Sequence, residues 1–496
     1  MLTPVGVFRG TLIFSLLTLP WALGFFALDA DGPFSIHDSI IYGVIAETEP
    51  GWQMNPHHPG FHALQSGVQV ILSACGVAHP GFMAARVLAG IGAAIALALI
   101  ASMAGSRMLV GIAAALVFAS ARIISMETAV GETNLPGIAA ALWMFREALA
   151  ARPRCVSLTA SIVVALWMRE DSILLLPGVL AAAAPGFEAS LRWRRLMAVT
   201  AVAGLVTLAG YVLAFQFVEY LHEGRAIRFT EWLVLYAHVP QMAITHSAGM
   251  ERLVIYAGSL GAATVGQFDG NSWFSFAMGM LWCGAFLAAA WLGRGTLPAR
   301  RLLVGVALML AVRLPFFAWF EPENCEWHAL HLALLAVMVA AALAEPKAGA
   351  RPAVGVAVLL LLLAATAMII GPGLLRLRER TLITGVEEVV AAAGRDATFV
   401  VLTNDRAAHA LRYLHLFPVI CMDAAGAMGE IMRCVQQRTA VAFVTDRTVG
   451  NALPWSGPLE RRGAEFIDAL RDTPGLAGVR WFTGPAGLCG ALSLTR

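Results

Sequence analysis

Carboxylates, imidazoles and guanidinium groups gather in a few short stretches of this 496-residue chain. The richest contains Asp29-Ala30-Asp31, His37-Asp38-Ser39 and Asn55-Pro56-His57-His58-Pro59-Gly60-Phe61. Glu127 and Glu132 follow, then Arg169-Glu170-Asp171, then a segment from Phe320 to His328 that carries Glu321, Glu323, Asn324, Glu326 and Trp327. A positioned carboxylate can take a proton from a hydroxyl. Guanidinium and imidazole groups can hold the charge that develops on a departing phosphate. A carboxylate beside a tryptophan suits a sugar, because the ring packs on pyranose CH groups while the oxygens accept hydroxyl hydrogens. His57 and His58 could also bind a divalent metal, but two histidines without a fixed carboxylate spacing fall short of a metal-ligand set.

The elements that must position these groups are apolar. Hydrophobic residues make up 59% of the chain and charged residues 13%, with a mean hydropathy of +0.73. Soluble domains carry about 25% charged residues, and a buried core cannot absorb that deficit because a wetted surface has to be polar. Disordered, fibrous and ordinary cytosolic classes are excluded, and an integral membrane protein is implied. Lys and Arg number 34 against 32 Asp and Glu, so no strong field points to nucleic acid. The seven cysteines are scattered, without CxxC or a Cys/His cluster, and Cys75, Cys155 and Cys283 read as small core residues.

Membrane-length apolar runs alternate with short polar breaks as far as about residue 373. Basic residues collect at Arg9, Arg107, Arg152 and Arg154, Arg192 to Arg195, Arg294 to Arg301, and Lys347 to Arg351. Placing these in the cytoplasm sets the spans near 11–28, 84–105, 108–125, 135–150, 155–168, 171–185, 196–218, 272–293, 301–319, 328–345 and 352–372. That is about eleven crossings, with the N-terminus inside and the C-terminus outside. The pair within 155–185 is short enough to form a re-entrant hairpin, and 253–266 is apolar but short for a crossing. The first run, 11–28, lacks a small-residue cleavage site and is expected to stay as a span.

The acidic stretches then fall together on the outer face. The positive-inside rule hardly counts acids, so their gathering is separate evidence for an outward-facing polar site. In the first outer loop, 29–83, Ser39 to Glu47 has an amphipathic rhythm suited to the interface. A second helix is expected from Phe61, just after Pro59 and Gly60. Asn134 is expected to cap the helix that begins at Leu135-Pro136.

An aspartate on the first outer loop, an interfacial helix and a later His-Pro stretch resemble the membrane glycosyltransferases of the C superfamily. The resemblance is nearest to the branch of dolichyl-phosphate-mannose protein mannosyltransferases and aminoarabinose transferases, and it covers roughly residues 1–345. Asp38 matches the family's loop aspartate, and His58-Pro59-Gly60-Phe61 its His-Pro stretch. Ser39 stands where an acidic partner is common, and Gly60 where a second proline is. The resemblance implies transfer of a sugar from a polyprenyl-phosphate carrier to a glycan, lipid or protein acceptor at the outer face of the cell membrane, with inversion. It implies Asp38 as the base, with Asp29 or Asp31 the alternatives in the loop. Arg169 is the candidate for the phosphate, and its competing role is a local salt bridge with Glu170 or Asp171. His37, His57, His58, Glu321, Glu323, Glu326 and Trp327 complete the candidate substrate-binding set. The pattern fixes no cofactor, and a divalent metal is the one that the histidines could take.

The texture changes after about residue 373. Strand patterns at 398–402, 418–421, 440–445, 479–482 and 491–494 alternate with helix patterns at 386–393, 405–414, 425–436 and 460–470. The expected organisation is therefore a polytopic helical part, 1–372, and a small extracytoplasmic α/β domain, 373–496, with a mainly parallel sheet. No phosphate-binding glycine motif accompanies it. Two other functions fit the residues. One is a transporter or flippase, which calls for broken helices and charges at mid-membrane; the other is a catalytically silent relative acting in assembly.

Overall fold

The computed structural model describes residues 42–43, 46–47, 56–104, 108–221, 228–233, 250–265, 277, 279–284, 297–320, 325–344, 398–401, 418–421, 427–437, 441–444, 479–484 and 487–492. The chain divides into two compact units. One comprises Met1–Ala27 and Ile45–Ile370, the other Leu28–Val44 and Gly371–Arg496. Expected spans 11–28 and 352–372 lie outside the described residues, as do Asp29, Asp31, His37, Asp38, Glu321 and Glu323.

In the first unit, helix α1 (Pro59–Ala74) and helix α2 (Pro80–Met103) both begin on a proline. There the missing N–H costs nothing and the fixed φ suits the helix. Glu47 accepts from the Gly81 N–H at 2.6 Å, a carboxylate at the positive end of α2. Helices α3 (Met108–Ser120) and α4 (Arg122–Val130) follow, separated at Ala121, whose backbone is extended with ψ 134°. The continuous run expected over 108–125 is thus two helices. Helix α4 closes on Gly131 at φ +84°, where a Cβ would lie 2.7 Å from the Arg86 nitrogen, so only glycine fits.

Helix α5 (Asn134–Leu149) starts one residue earlier than expected. Thr133 is its N-cap, and neither residue caps through its side chain; the Asn134 amide is drawn instead to Glu127. Helix α6 (Cys155–Met168) has the predicted bounds. The next run begins as a 3-10 helix, Glu170–Leu175, and becomes α7 only at Leu176–Ala183. Helices α8 (Arg192–Leu221), α9 (Phe229–Leu233), α10 (Met250–Val265) and α11 (Leu297–Phe320) come next. A 3-10 turn, Cys325–Trp327, leads into α12 (His328–Ala344).

Three described helices are long and apolar enough to cross a membrane: Pro80–Ser102, Arg192–Phe217 and Arg300–Phe320. Leu205, Leu208 and Leu213 of α8 are exposed, an arrangement that water would penalise and lipid would not. The core is alanine-rich and joins α2, α3, α5 and α12, every residue of α12 from Ala329 to Ala340 being buried, His331 included. Small side chains let the backbones approach closely: at Gly92 a Cβ would meet the Pro136 nitrogen at 2.5 Å.

The second unit contains a five-stranded sheet of order β2-β1-β3-β5-β4, formed by β1 (Thr398–Val401), β2 (Val419–Cys421), β3 (Val441–Val444), β4 (Val479–Gly484) and β5 (Gly487–Leu492). Strand β1 is parallel to β2 and β3, with Val400 opposite Ile420 and Phe443. Strand β5 is antiparallel to both β3 and β4, so the sheet is mixed where a mainly parallel one was expected. Only two residues separate β4 from β5, too few for a parallel crossover. Helix α13 (Ala427–Gln436) lies in sequence between β2 and β3.

Candidate functional site

The Arg169-Glu170-Asp171 turn joins α6 to the 3-10 helix, and each of its side chains meets a different part of the first unit. Glu170 engages the loop before α1. Its N–H donates to the His57 carbonyl at 3.3 Å, and its carboxylate pairs with His57 Nδ1. His58 Nδ1 lies 3.8 Å from the other carboxylate oxygen. The loop can sit this close because Gly60, at the start of α1, packs on Trp167, where a Cβ would touch the Trp167 oxygen at 3.0 Å. Burial pushes the His58 imidazole well below the usual histidine range, and Arg169, His62 and His57 push it further. His58 is therefore a neutral ring next to a carboxylate.

Arg169 has extended backbone at the end of α6 and is nearly buried. Its Nε donates to Asp171 Oδ1 at 3.1 Å. Its guanidinium carbon lies 5.1 Å from the centre of the Trp327 ring, and its stem lies along α5 at Gly137, where a Cβ would meet Cδ at 2.5 Å. Burial opposes the charge, but Asp171, Glu170, Glu127 and Glu326 outweigh it and raise the pKa. Arg169 stays a cation.

Asp171 is shared. Its Oδ2 lies 2.6 Å from Nη1 of Arg313, a residue of α11 that is 1% exposed. Arg313 stands 4.4 Å over the Phe317 ring, and Phe317 stacks on Trp327 at 4.4 Å and 24°. Asp171, Arg313, Phe317, Trp327 and Arg169 thus form a closed circuit of contacts drawn from the turn, α11 and the 3-10 turn before α12. A cation inside an apolar helix is expensive unless paired, and that cost is the signal by which Arg313 could have been found in the sequence.

Across from Arg169, Glu127 is fully buried on α4. Its Oε1 accepts from Asn134 Nδ2 at 2.8 Å, while Oε2 has no hydrogen-bond partner among the described residues. Burial raises its pKa well above the carboxylate range, Glu326 and Glu132 raise it further, and Arg169 and the Asn134 hydrogen bond counter only part of this. The surroundings of Glu127 therefore favour the neutral acid over the carboxylate.

A further polar cluster lies between α10 and α12. Ser259 Oγ is 2.8 Å from His328 Nε2, and the two Nδ1 atoms of His328 and His331 are 3.2 Å apart. Tyr256 hydroxyl lies 3.4 Å from His331 Nδ1. Among the described residues no group of three or more His, Cys, Asp or Glu could hold a metal ion.

Of the expected site residues, the structure brings together His57, His58, Arg169, Glu326 and Trp327, and adds Glu127, Asp171 and Arg313. The remaining six lie outside the described residues.

No protein-family model matches the chain, and no curated protein matches it. The fold of the chain is nonetheless similar to that of solved membrane-protein structures along nearly its whole length. The crystal structure of ArnT from Cupriavidus metallidurans bound to undecaprenyl phosphate is similar over 99% of both chains, with a TM-score of 0.57 at 12% identity. The same protein in its apo state is similar over 96% of this chain and 97% of that one, with a TM-score of 0.56 at 11% identity. Fold and apolar helices together make the chain a multi-pass integral membrane protein.

Proposed function

We propose that this protein transfers a sugar from a polyprenyl-phosphate carrier to an acceptor hydroxyl at the outer face of the cell membrane, inverting the anomeric centre. The observation that carries this reading is Arg169. Among the described residues only its Nε is engaged in a hydrogen bond, so both Nη groups are left for an anion, in a fold similar to one that holds undecaprenyl phosphate. A guanidinium so fixed stabilises charge on a leaving phosphate without reorganising.

In the proposed reaction the acceptor oxygen forms a bond to the anomeric carbon as the bond from that carbon to the phosphate oxygen breaks. The electron pair leaves with the phosphate, beside Arg169. Asp38 takes the acceptor proton, as the family resemblance implies. Glu326 and Glu127 offer hydroxyl partners, Glu326 as an acceptor and Glu127 as a donor through its retained proton. The proposal keeps the N-terminus in the cytoplasm and residues 373–496 as an extracytoplasmic domain. Incorporation of labelled sugar from defined polyprenyl-phosphate donors by the purified protein in detergent is the test; no transfer from any such donor would refute the reading.

A further inference from the structure

A single aspartate between two arginines has a consequence for charge. Asp171 takes Arg169 Nε at 3.1 Å on one oxygen and Arg313 Nη1 at 2.6 Å on the other. Two cations and one anion leave the trio itself with one net positive charge, set against the Glu170 and Glu326 carboxylates that also act on Arg169 and are the same in every variant below. If Arg313 were neutral, Arg169 and Asp171 would cancel, and Arg169 would offer a phosphate two donor groups with no net charge behind them. Attraction of an anion depends on that net charge as well as on the donors, most of all where water is excluded. Arg313 is 1% exposed and its charge is spent on Asp171 and the Phe317 face, so it is not placed as a ligand itself.

We infer that Arg313 is a positioning residue that shares Asp171 and thereby keeps the charge of Arg169 available to the phosphate of the lipid carrier. The inference rests on the polyprenyl-phosphate reading above. It also explains why an apolar helix keeps a buried cation at all, because the Asp171 carboxylate would otherwise be satisfied by Arg169 alone.

The test is a charge-restoring cycle on the full-length protein in nanodiscs, with binding of undecaprenyl phosphate measured against the neutral alcohol undecaprenol. Arg313→Met neutralises the trio and should weaken undecaprenyl phosphate binding by about tenfold or more, leaving undecaprenol unaffected. Asp171→Asn combined with Arg313→Met returns the trio to one positive charge and should bind within about fivefold of the wild type. A merely structural role predicts the opposite, since the double variant has lost both partners. Wild-type affinity in Arg313→Met, or a double variant as weak as that single one, would overturn the inference. Should Arg313→Met fail to fold, the double variant is measured alone, because it removes the buried Asp171 carboxylate together with its Arg313 partner, and binding more than about fivefold weaker than the wild type would overturn the inference. If the wild type itself prefers undecaprenyl phosphate no more than undecaprenol, the functional reading fails, a result distinct from failure of the cycle.

Discussion

The guanidinium of Arg169 rests over the ring of Trp327, 5.1 Å from its centre. A residue that ends one apolar helix is thereby carried on an aromatic that opens another. Trp327 is itself backed by Phe317, so the cation is held by a ring, a carboxylate and the α5 backbone at Gly137. Expected in the sequence as a platform for sugar, Trp327 is engaged here with Arg169 and Phe317. These supports keep Arg169 in place before any ligand arrives, so less ordering remains to be done on binding.

Gly137→Ala tests that placement. The added methyl would sit 2.5 Å from Arg169 Cδ, and the stem has to move. Alanine is also the better helix former, so folding should be retained while the KM for the lipid donor rises severalfold and kcat changes less. Steady-state kinetics with varied donor will show it. Unchanged kinetics would mean that the Arg169 position is not critical.

Asp38→Asn keeps the side-chain volume and removes the base. Loss of a positioned base lowers rate by about 10²–10⁴-fold, and the isosteric change to Asn keeps the size of the side chain. Turnover should fall by that factor with donor binding and expression nearly intact. If transfer is normal, Asp29 and Asp31 become the candidates.

Glu127 gives a pH dependence whose sign follows from its raised pKa. A carboxyl raised in the fold contributes stability that is complete below the unfolded value near 4.5 and is lost as pH rises through the folded one. Glu127→Gln has no proton to release, so its melting temperature should gain on the wild type as pH rises from about 5 to about 8. His58, lowered in the fold, acts in the opposite sense and loses stability as pH falls below about 6.5; it is common to both proteins and cancels in the comparison. A constant difference in melting temperature across that range would show Glu127 to be ionised throughout.

Orientation is testable in intact cells. Cysteine probes introduced near Asn55 and near Gly450 should both react with an impermeant reagent added outside, and a probe near Arg192 should be protected. Labelling at Arg192 would invert the assignment and move the acidic stretches to the cytoplasmic side.

Apolar periodicity and run length are properties of neighbouring residues, so much of the helical framework was written in the sequence. Helix α6 has the predicted bounds, α8 and α11 differ from their predicted spans by a few residues, and four of the five strands overlap closely with their predicted positions. The His-Pro stretch and the Arg169 triplet were visible for the same reason, as unusual residue types in apolar surroundings. The break at Ala121, the diversion of Asn134 from cap to Glu127, and the antiparallel β5 each depend on what packs alongside, which local propensity does not contain. The partners of Arg169 were hidden most deeply. A local salt bridge with Asp171 could be foreseen from a two-residue spacing, but its sharing with Arg313 and the Trp327 support join segments far apart in the chain. Only packing of α5, α11 and the turn before α12 brings them within contact distance, and it is that tertiary proximity which adds a second cation, Arg313, to an otherwise local ion pair.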